Sequence, residues 1–125
     1  MSHISILKTR LSDKSILLET LQAMGYEVTE SPDLMIQGSG RKTKVDFQIE
    51  VPYSDPIGFR ESKNGYQIVA DWFKIQLDRK QFQSQLLQQY AYHAVTSALT
   101  DKGFEICKEE VSEKNQIHLV VRRCP

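Results

Sequence analysis

Cysteine is scarce in this chain. The two present, Cys107 and Cys124, form no CxxC pair and match no zinc-ligand spacing. They read as two unlinked thiols of a protein kept in a reducing compartment. Cys107 follows Ile106 and reads as a small hydrophobe in a strand, and Cys124 as a loosely held residue beside the end. Long hydrophobic runs are missing too, which excludes a transmembrane helix and predicts no membrane partner. The opening Met-Ser-His-Ile-Ser-Ile-Leu-Lys lacks the basic start and long apolar middle of a secretory leader. No sign of charge is in excess, because 16 basic residues face 16 acidic ones. A protein that grips duplex DNA shows a clustered basic surplus, so nucleic acid is an unfavoured partner. There is no Walker A loop, no GxGxxG, no HExxH and no GxSxG. No cofactor and no metal is therefore expected. The spacing of His3, His93, His118 and the cysteines gives no support for a metal site either.

What is present is the mix of an ordinary soluble globular protein: 125 residues, 40% hydrophobic and 26% charged. That length predicts a single α+β domain over residues 1–125, able to bury roughly two-thirds of its unfolded surface without a staple.

The periodicities fill this in. Residues 3–10 alternate as a short strand. Ser12 stands where a helix N-cap is expected, and Asp13 suits the positive end of the helix dipole. Leu17, Leu18, Leu21 and Met24 then form an apolar stripe, and Gly25 closes a helix over 13–24. Tyr26 to Thr29 and Leu34 to Ile36 are short extended pieces on either side of Ser31-Pro32-Asp33. Gly38-Ser39-Gly40, followed by Arg41, Lys42 and Lys44, reads as a solvated turn or, less favoured, a phosphate loop. Val45, Phe47, Ile49 and Val51 alternate with polar residues, predicting a strand of an antiparallel sheet with this apolar set facing the helices. Asn64-Gly65 predicts a hairpin between 57–60 and 66–73. Asp78 caps a long helix free of Gly and Pro from Arg79 to Lys102. At about 100° per residue, Leu87, Tyr90, Ala91, Ala94 and Ala98 share its expected buried face. After Gly103, residues 104–107 and 117–121 read as strands joined by a turn over 113–115.

The two helix exits are alike: Gly25-Tyr26-Glu27-Val28 and Gly103-Phe104-Glu105-Ile106. The order strand-helix-strand-strand occurs twice, which raises a duplicated unit. The alternative is that any helix-to-strand turn favours glycine and an aromatic. Either way, the pattern predicts an antiparallel sheet with two helices on one face. A cleft between the halves, or the helix-free face, is the expected binding surface.

Five motifs occur in register: Ser2-His3; Ile57-Gly58-Phe59-Arg60; Tyr66-x-Ile68-Val69-Ala70-Asp71-Trp72; Tyr90-Ala91-Tyr92-His93; and Ile117-x-Leu119-Val120-Val121-Arg122-Arg123. Over nearly the whole chain the sequence resembles the uncharacterised family called hypothetical chloroplast reading frame thirty-five. That resemblance implies a cyanobacterial or red-algal plastid setting, a cytoplasmic or stromal location, and no established activity. The family carries a tryptophan where this sequence has Cys124, which puts a shared role for the tail in doubt.

Candidate functional residues each carry two readings. Asp71 could be an acid, a base or a ligand hook with Trp72 as a stacking platform; alternatively Trp72 is a core or rim aromatic, and Asp71 points to solvent or caps a turn. Tyr92 and His93 lie off the alanine face. His93, near Phe82 and Leu86 on the wheel, could shuttle a proton or simply donate to a carbonyl or carboxylate at the core edge. Tyr90 faces inward, and its hydroxyl needs a partner if buried. Arg60 could clamp a carboxylate or phosphate, or pair with Glu50 or Asp71 across the sheet. Glutamines 81, 83, 85, 88 and 89 read first as a solvated face, and as neutral amides they could also suit a protein partner.

The sequence therefore favours a non-catalytic binding or accessory module. It would take a protein or small-molecule partner through Arg60, Asp71 and Trp72, with Tyr92 and His93 as further candidates. The alternatives are a small enzyme using Asp71 or His93 as acid or base, and a nucleic-acid-binding module whose sheet aromatics stack bases.

Overall fold

Alternating apolar residues can bury one face of a sheet only against something equally apolar, and two amphipathic helices supply it here. The computed structural model describes residues 3–38, 40–114 and 116–123. Ser2, Ser39, Asn115 and Cys124, each part of a sequence reading, lie outside them. The elements are β1 (Ser5–Lys8), α1 (Lys14–Ala23), β2 (Glu27–Glu30), β3 (Met35–Gly38), β4 (Arg41–Lys44), β5 (Phe47–Glu50), β6 (Ile57–Ser62), β7 (Gly65–Ala70), α2 (Arg79–Asp101), β8 (Phe104–Val111) and β9 (Ile117–Arg123), with a 3-10 turn at Trp72–Lys74. The fold is α+β. Its main sheet has the order β1-β7-β6-β5-β2 and is antiparallel throughout. The hairpins β3-β4 and β8-β9 form separate two-stranded sheets.

Both helices close as glycine permits. Gly25 (φ 94°) and Gly103 (φ 84°) adopt the left-handed conformation, where a side chain with a Cβ is strained. The α1 cap is Asp13, not Ser12. The Asp13 carboxylate accepts from the Ile16 amide at 3.1 Å, so the longer, charged acceptor takes the N-cap and the helix starts one residue later than expected. Asp78 caps α2 as expected, accepting from the Gln81 amide at 3.0 Å.

The core lies between the helices and one sheet face. Leu17 and Leu21 of α1 and Phe82 and Leu86 of α2 close over Phe47, Ile49, Ile57, Phe59, Tyr66 and Ile68. Phe47 and Phe59 are register partners, and their rings stack at 5.1 Å. Val45 departs from the expected alternation. It belongs to a second cluster with Ile36 and Val69 on the opposite face. The chain breaks at Asp46, whose carboxylate accepts from the Glu61 amide at 2.6 Å, and β5 begins only at Phe47.

The helix-free face is therefore not open as expected. The β3-β4 hairpin lies over it, with Ile36 and Val45 seated on β6 and β7. Gly58 makes this possible: a Cβ there would stand 2.6 Å from Ile36 Cγ1 and from Val45 Cγ1.

The face of α2 is also shifted. Its buried side chains are Phe82 and Leu86, whereas Leu87 (43%) and Val95 (49%) are exposed, as are Ala91 and Ala98. Bulk decides this. Phe82 and Leu86 offer far more burial than alanines, so they turn inward; Tyr90 of the expected face still packs on the core and Ala94 is half-buried, while Ala91 and Ala98 turn out. The likeness of the two strand-helix-strand-strand units ends at the helix exits. β8 and β9 pair with each other, while β2 joins β5 and β3 joins β4.

Candidate functional site

The 66–73 alternation ends earlier than expected. After Ala70 the chain turns into the 3-10 segment, and Asp71 becomes its cap, accepting from the Phe73 amide at 3.2 Å through Oδ1. Asp71 is 1% exposed, and its other oxygen, Oδ2, is buried without a hydrogen-bond partner. Among the described residues no ion pair neutralises it. A cavity of about 250 Å³ meets Asp71 at the seam between the β3-β4 hairpin and the sheet. Its other walls are Met35, Ile36 and Gln37 of β3, with Asp55 and Pro56 of the loop before β6. The Asp55 amide donates to the Lys74 carbonyl at 3.1 Å, tying that loop to the turn Asp71 caps.

The other candidates disperse. Trp72 is a rim aromatic. It is partly buried against the helix-side core, its ring 6.0 Å from that of Phe82, and its Nε1 is buried without a partner. The next residue, Phe73, faces solvent and is 80% exposed. Arg60 pairs with neither Glu50 nor Asp71. Its Nε and Nη2 donate to Gln67 Oε1 at 3.1 and 2.6 Å, across the β6-β7 ladder. It lines a separate open depression of about 550 Å³ with Lys44, Asp46 and Lys63. His93 Nδ1 lies 3.4 Å from Glu19 Oε1 of α1, the carboxylate contact expected of a histidine at a core edge. The ring of Tyr92 packs edge-on against that of His93, and its hydroxyl donates to Glu109 of β8. That bond, with burial second and the Glu109 charge third, raises the Tyr92 pKa above the ordinary tyrosine value. Tyr90 Oη accepts from the Asp13 amide at 3.0 Å, the partner its hydroxyl needs.

One further expectation is revised. Cys107 is exposed, at a register shift between Ile106 and Lys108, where a bulge turns it away from the apolar row. Gly38 and Gly40 flank the β3-β4 turn. With Gln37, Arg41 and Lys42 they line an open depression, and Gly40, Arg41 and Lys42 are exposed, in keeping with the favoured reading of a solvated turn.

Asp55 and Gln37 were missed. Residues 52–56 read as a plain loop, and the extended piece expected over Leu34 to Ile36 stops one residue short of Gln37. The available signal was the carboxylate beside a proline, since Pro56 holds the preceding residue extended. Nothing local pairs that loop with residue 71.

The family model described as a protein of unknown function, DUF1257, matches residues 20–120. The chain belongs to that family. Its DUF1257 membership agrees with its curated relatives, each an uncharacterised ycf35 protein encoded by an algal plastid genome. The Cyanophora paradoxa protein is 30% identical over 98% of each chain. That of Pyropia yezoensis is 28% identical over 98% of each, and that of Guillardia theta 30% over 98% of each. No solved structure matches this DUF1257 chain. Among the described residues no helix is long and apolar enough to cross a membrane.

Proposed function

We propose that the chain acts as one non-catalytic binding or accessory domain of the cytoplasm or plastid stroma. Its ligand site is the cavity at Asp71, and the ligand is a small molecule or part of a protein partner. The observation that carries this reading is the buried Asp71 Oδ2, left without a donor where Asp71 lines a cavity. A buried acceptor without a partner costs about 1–3 kcal/mol. A ligand that donates to it recovers that cost, so the group favours the occupied state. The acid–base alternative is less well supported. His93 is held against Glu19 and does not line the cavity at Asp71, so the two titratable candidates do not share a site.

The test is an amide-resolved NMR screen of the full chain against small amines, carboxylates, phosphates and neutral amides. At least one class is expected to shift the Gln37, Asp55 and Asp71 amides in the native protein and not in Asp71→Asn, which keeps the capping oxygen. If no class moves those amides, the cavity is not a ligand site. Shifts confined to Arg60 and Lys63 would transfer the binding role to the opposite end of β6.

A further inference from the structure

We infer that the cavity at Asp71 takes a cationic nitrogen group, an alkylammonium or a guanidinium, an inference that rests on reading this cavity as the binding site. The walls supply the argument. Their polar side chains are two carboxylates, Asp55 and Asp71, and one amide, Gln37; among the described residues no lysine or arginine lines the cavity. With Asp71 Oδ1 engaged by the Phe73 amide, Oδ2 is the acceptor without a donor. A ligand must therefore bring N–H or O–H donors, and a positive charge makes the bond to a carboxylate stronger and shorter. The remaining walls, Met35, Ile36 and Pro56, are apolar. They suit the methylene stem that carries an ammonium or guanidinium head.

Size and donor set narrow the class. A volume of about 250 Å³ lies below the roughly 300–1,000 Å³ of pockets for drug-sized ligands. It admits one side-chain-sized group, not a nucleotide. A calcium ion takes about 6–8 oxygens. Among the described residues no three His, Cys, Asp or Glu side chains are grouped to hold a metal. Anions are repelled here; Lys44, Arg60 and Lys63, which could attract them, line the other depression together with Asp46 and Glu61.

The experiment is a titration of the full chain, followed at the Gln37, Asp55 and Asp71 amides, with n-propylammonium, ethylguanidinium, the peptide amide Gly-Arg-Gly, acetate, propionamide and calcium chloride. Saturable shifts with the nitrogen cations are expected, weakened about ten-fold or more in both Asp71→Asn and Asp55→Asn. Should Asp71→Asn disturb the 3-10 turn, Asp55→Asn, which leaves that cap intact, still decides. Tighter binding of the peptide than of ethylguanidinium supports a basic side chain of a partner protein; the reverse order supports a free amine. Equal or stronger response to acetate or propionamide overturns the cationic class while leaving the site standing. Saturation by calcium at lower concentration overturns nitrogen in favour of a metal. No response to any probe overturns the site as well.

Discussion

The helix-covered sheet and the α2-hairpin end of the chain are built on different physics. In the first, α1 and the opening turns of α2 press Leu17, Leu21, Phe82 and Leu86 onto a five-stranded sheet, all at or near zero exposure. In the second, the later turns of α2 meet a two-stranded hairpin, and no described side chain of β8 or β9 is fully buried. Val111 and Val120 are 67% and 53% exposed. Two strands alone cannot enclose a core. The hairpin is tied to itself and to α2 by polar and charged contacts instead: Tyr92 to Glu109, Arg122 to Glu105, and Arg123 over the Phe104 ring at 5.3 Å. Full burial fixes the first region; the second combines half-buried Phe104, Ile106, Ile117, Leu119 and Val121 with directional contacts. The Asp71 cavity belongs to the first, on its far face, where a rigid frame can hold an unpartnered carboxylate oxygen.

The widest gap between the regions should appear on truncating an apolar side chain in each. Phe47→Ala removes a fully buried ring stacked on Phe59 and is expected to cost about 3–5 kcal/mol. Val120→Ala, on the exposed hairpin, should stay within about 0.5 kcal/mol. Urea denaturation of both variants checks this. Comparable losses would mean that the hairpin carries as much of the fold as the core.

Glycine sharpens the same contrast. At Gly58 the obstacle is steric: a Cβ would press on Ile36 and Val45 at 2.6 Å. Gly58→Ala should therefore cost about 1–3 kcal/mol by overpacking and lift the β3-β4 hairpin, perturbing the Gln37 and Asp71 amides. At Gly103 nothing lies within 4 Å and only the φ of +84° resists. Gly103→Ala should cost about 1 kcal/mol and leave those amides unmoved. Thermal melts with amide spectra measure both. A Gly103 variant that shifted the Asp71 amide would couple two regions taken here as separate.

How much of this could be read beforehand follows from the range of the forces. Gly25, Gly103 and Asp78 act through neighbours within one turn, and the two helix exits and the α2 cap were legible. So was the β6-β7 hairpin, since Asn64-Gly65 is a local signal, and so was the inward set Phe47, Ile49 and Val51. Val45 was not, because Asp46 breaks the strand through a bond to the Glu61 amide, fifteen residues away. The inward face of α2 was misread because a wheel counts Ala91 and Ala98 as apolar without weighing their small size against Phe82 and Leu86. Of the site, Asp71 was legible as a polar residue closing an apolar strand. Its neighbours were not: Gln37 reaches the cavity because Gly58 lets a hairpin lie on the sheet, and Asp55 because its amide donates to the Lys74 carbonyl.

The smallest expected effect tests whether the hairpin is held by directional contacts. The Tyr92 hydroxyl is raised in pKa first by its bond to Glu109. A group whose folded pKa is raised stabilises the fold fully below its unfolded value, near pH 10 for tyrosine, and loses that contribution as pH climbs through the folded value. Tyr66 is also raised, first by burial and then by the charges of Glu61 and Asp46, but it sits in the main core. As pH climbs above about 10 the β8-β9 amides should therefore lose protection locally, while loss from β6 and β7 should accompany global unfolding. Tyr92→Phe removes the hairpin's bond at every pH, at a cost below about 1 kcal/mol for so exposed a pair. It should lower β8-β9 protection already at neutral pH and flatten its alkaline dependence, leaving the Tyr66-linked loss in place. NMR line broadening and saturation transfer from water follow both regions in one sample. Unchanged alkaline behaviour of the hairpin in Tyr92→Phe would show that its apolar contacts with α2, not the Tyr92–Glu109 bond, hold it in position.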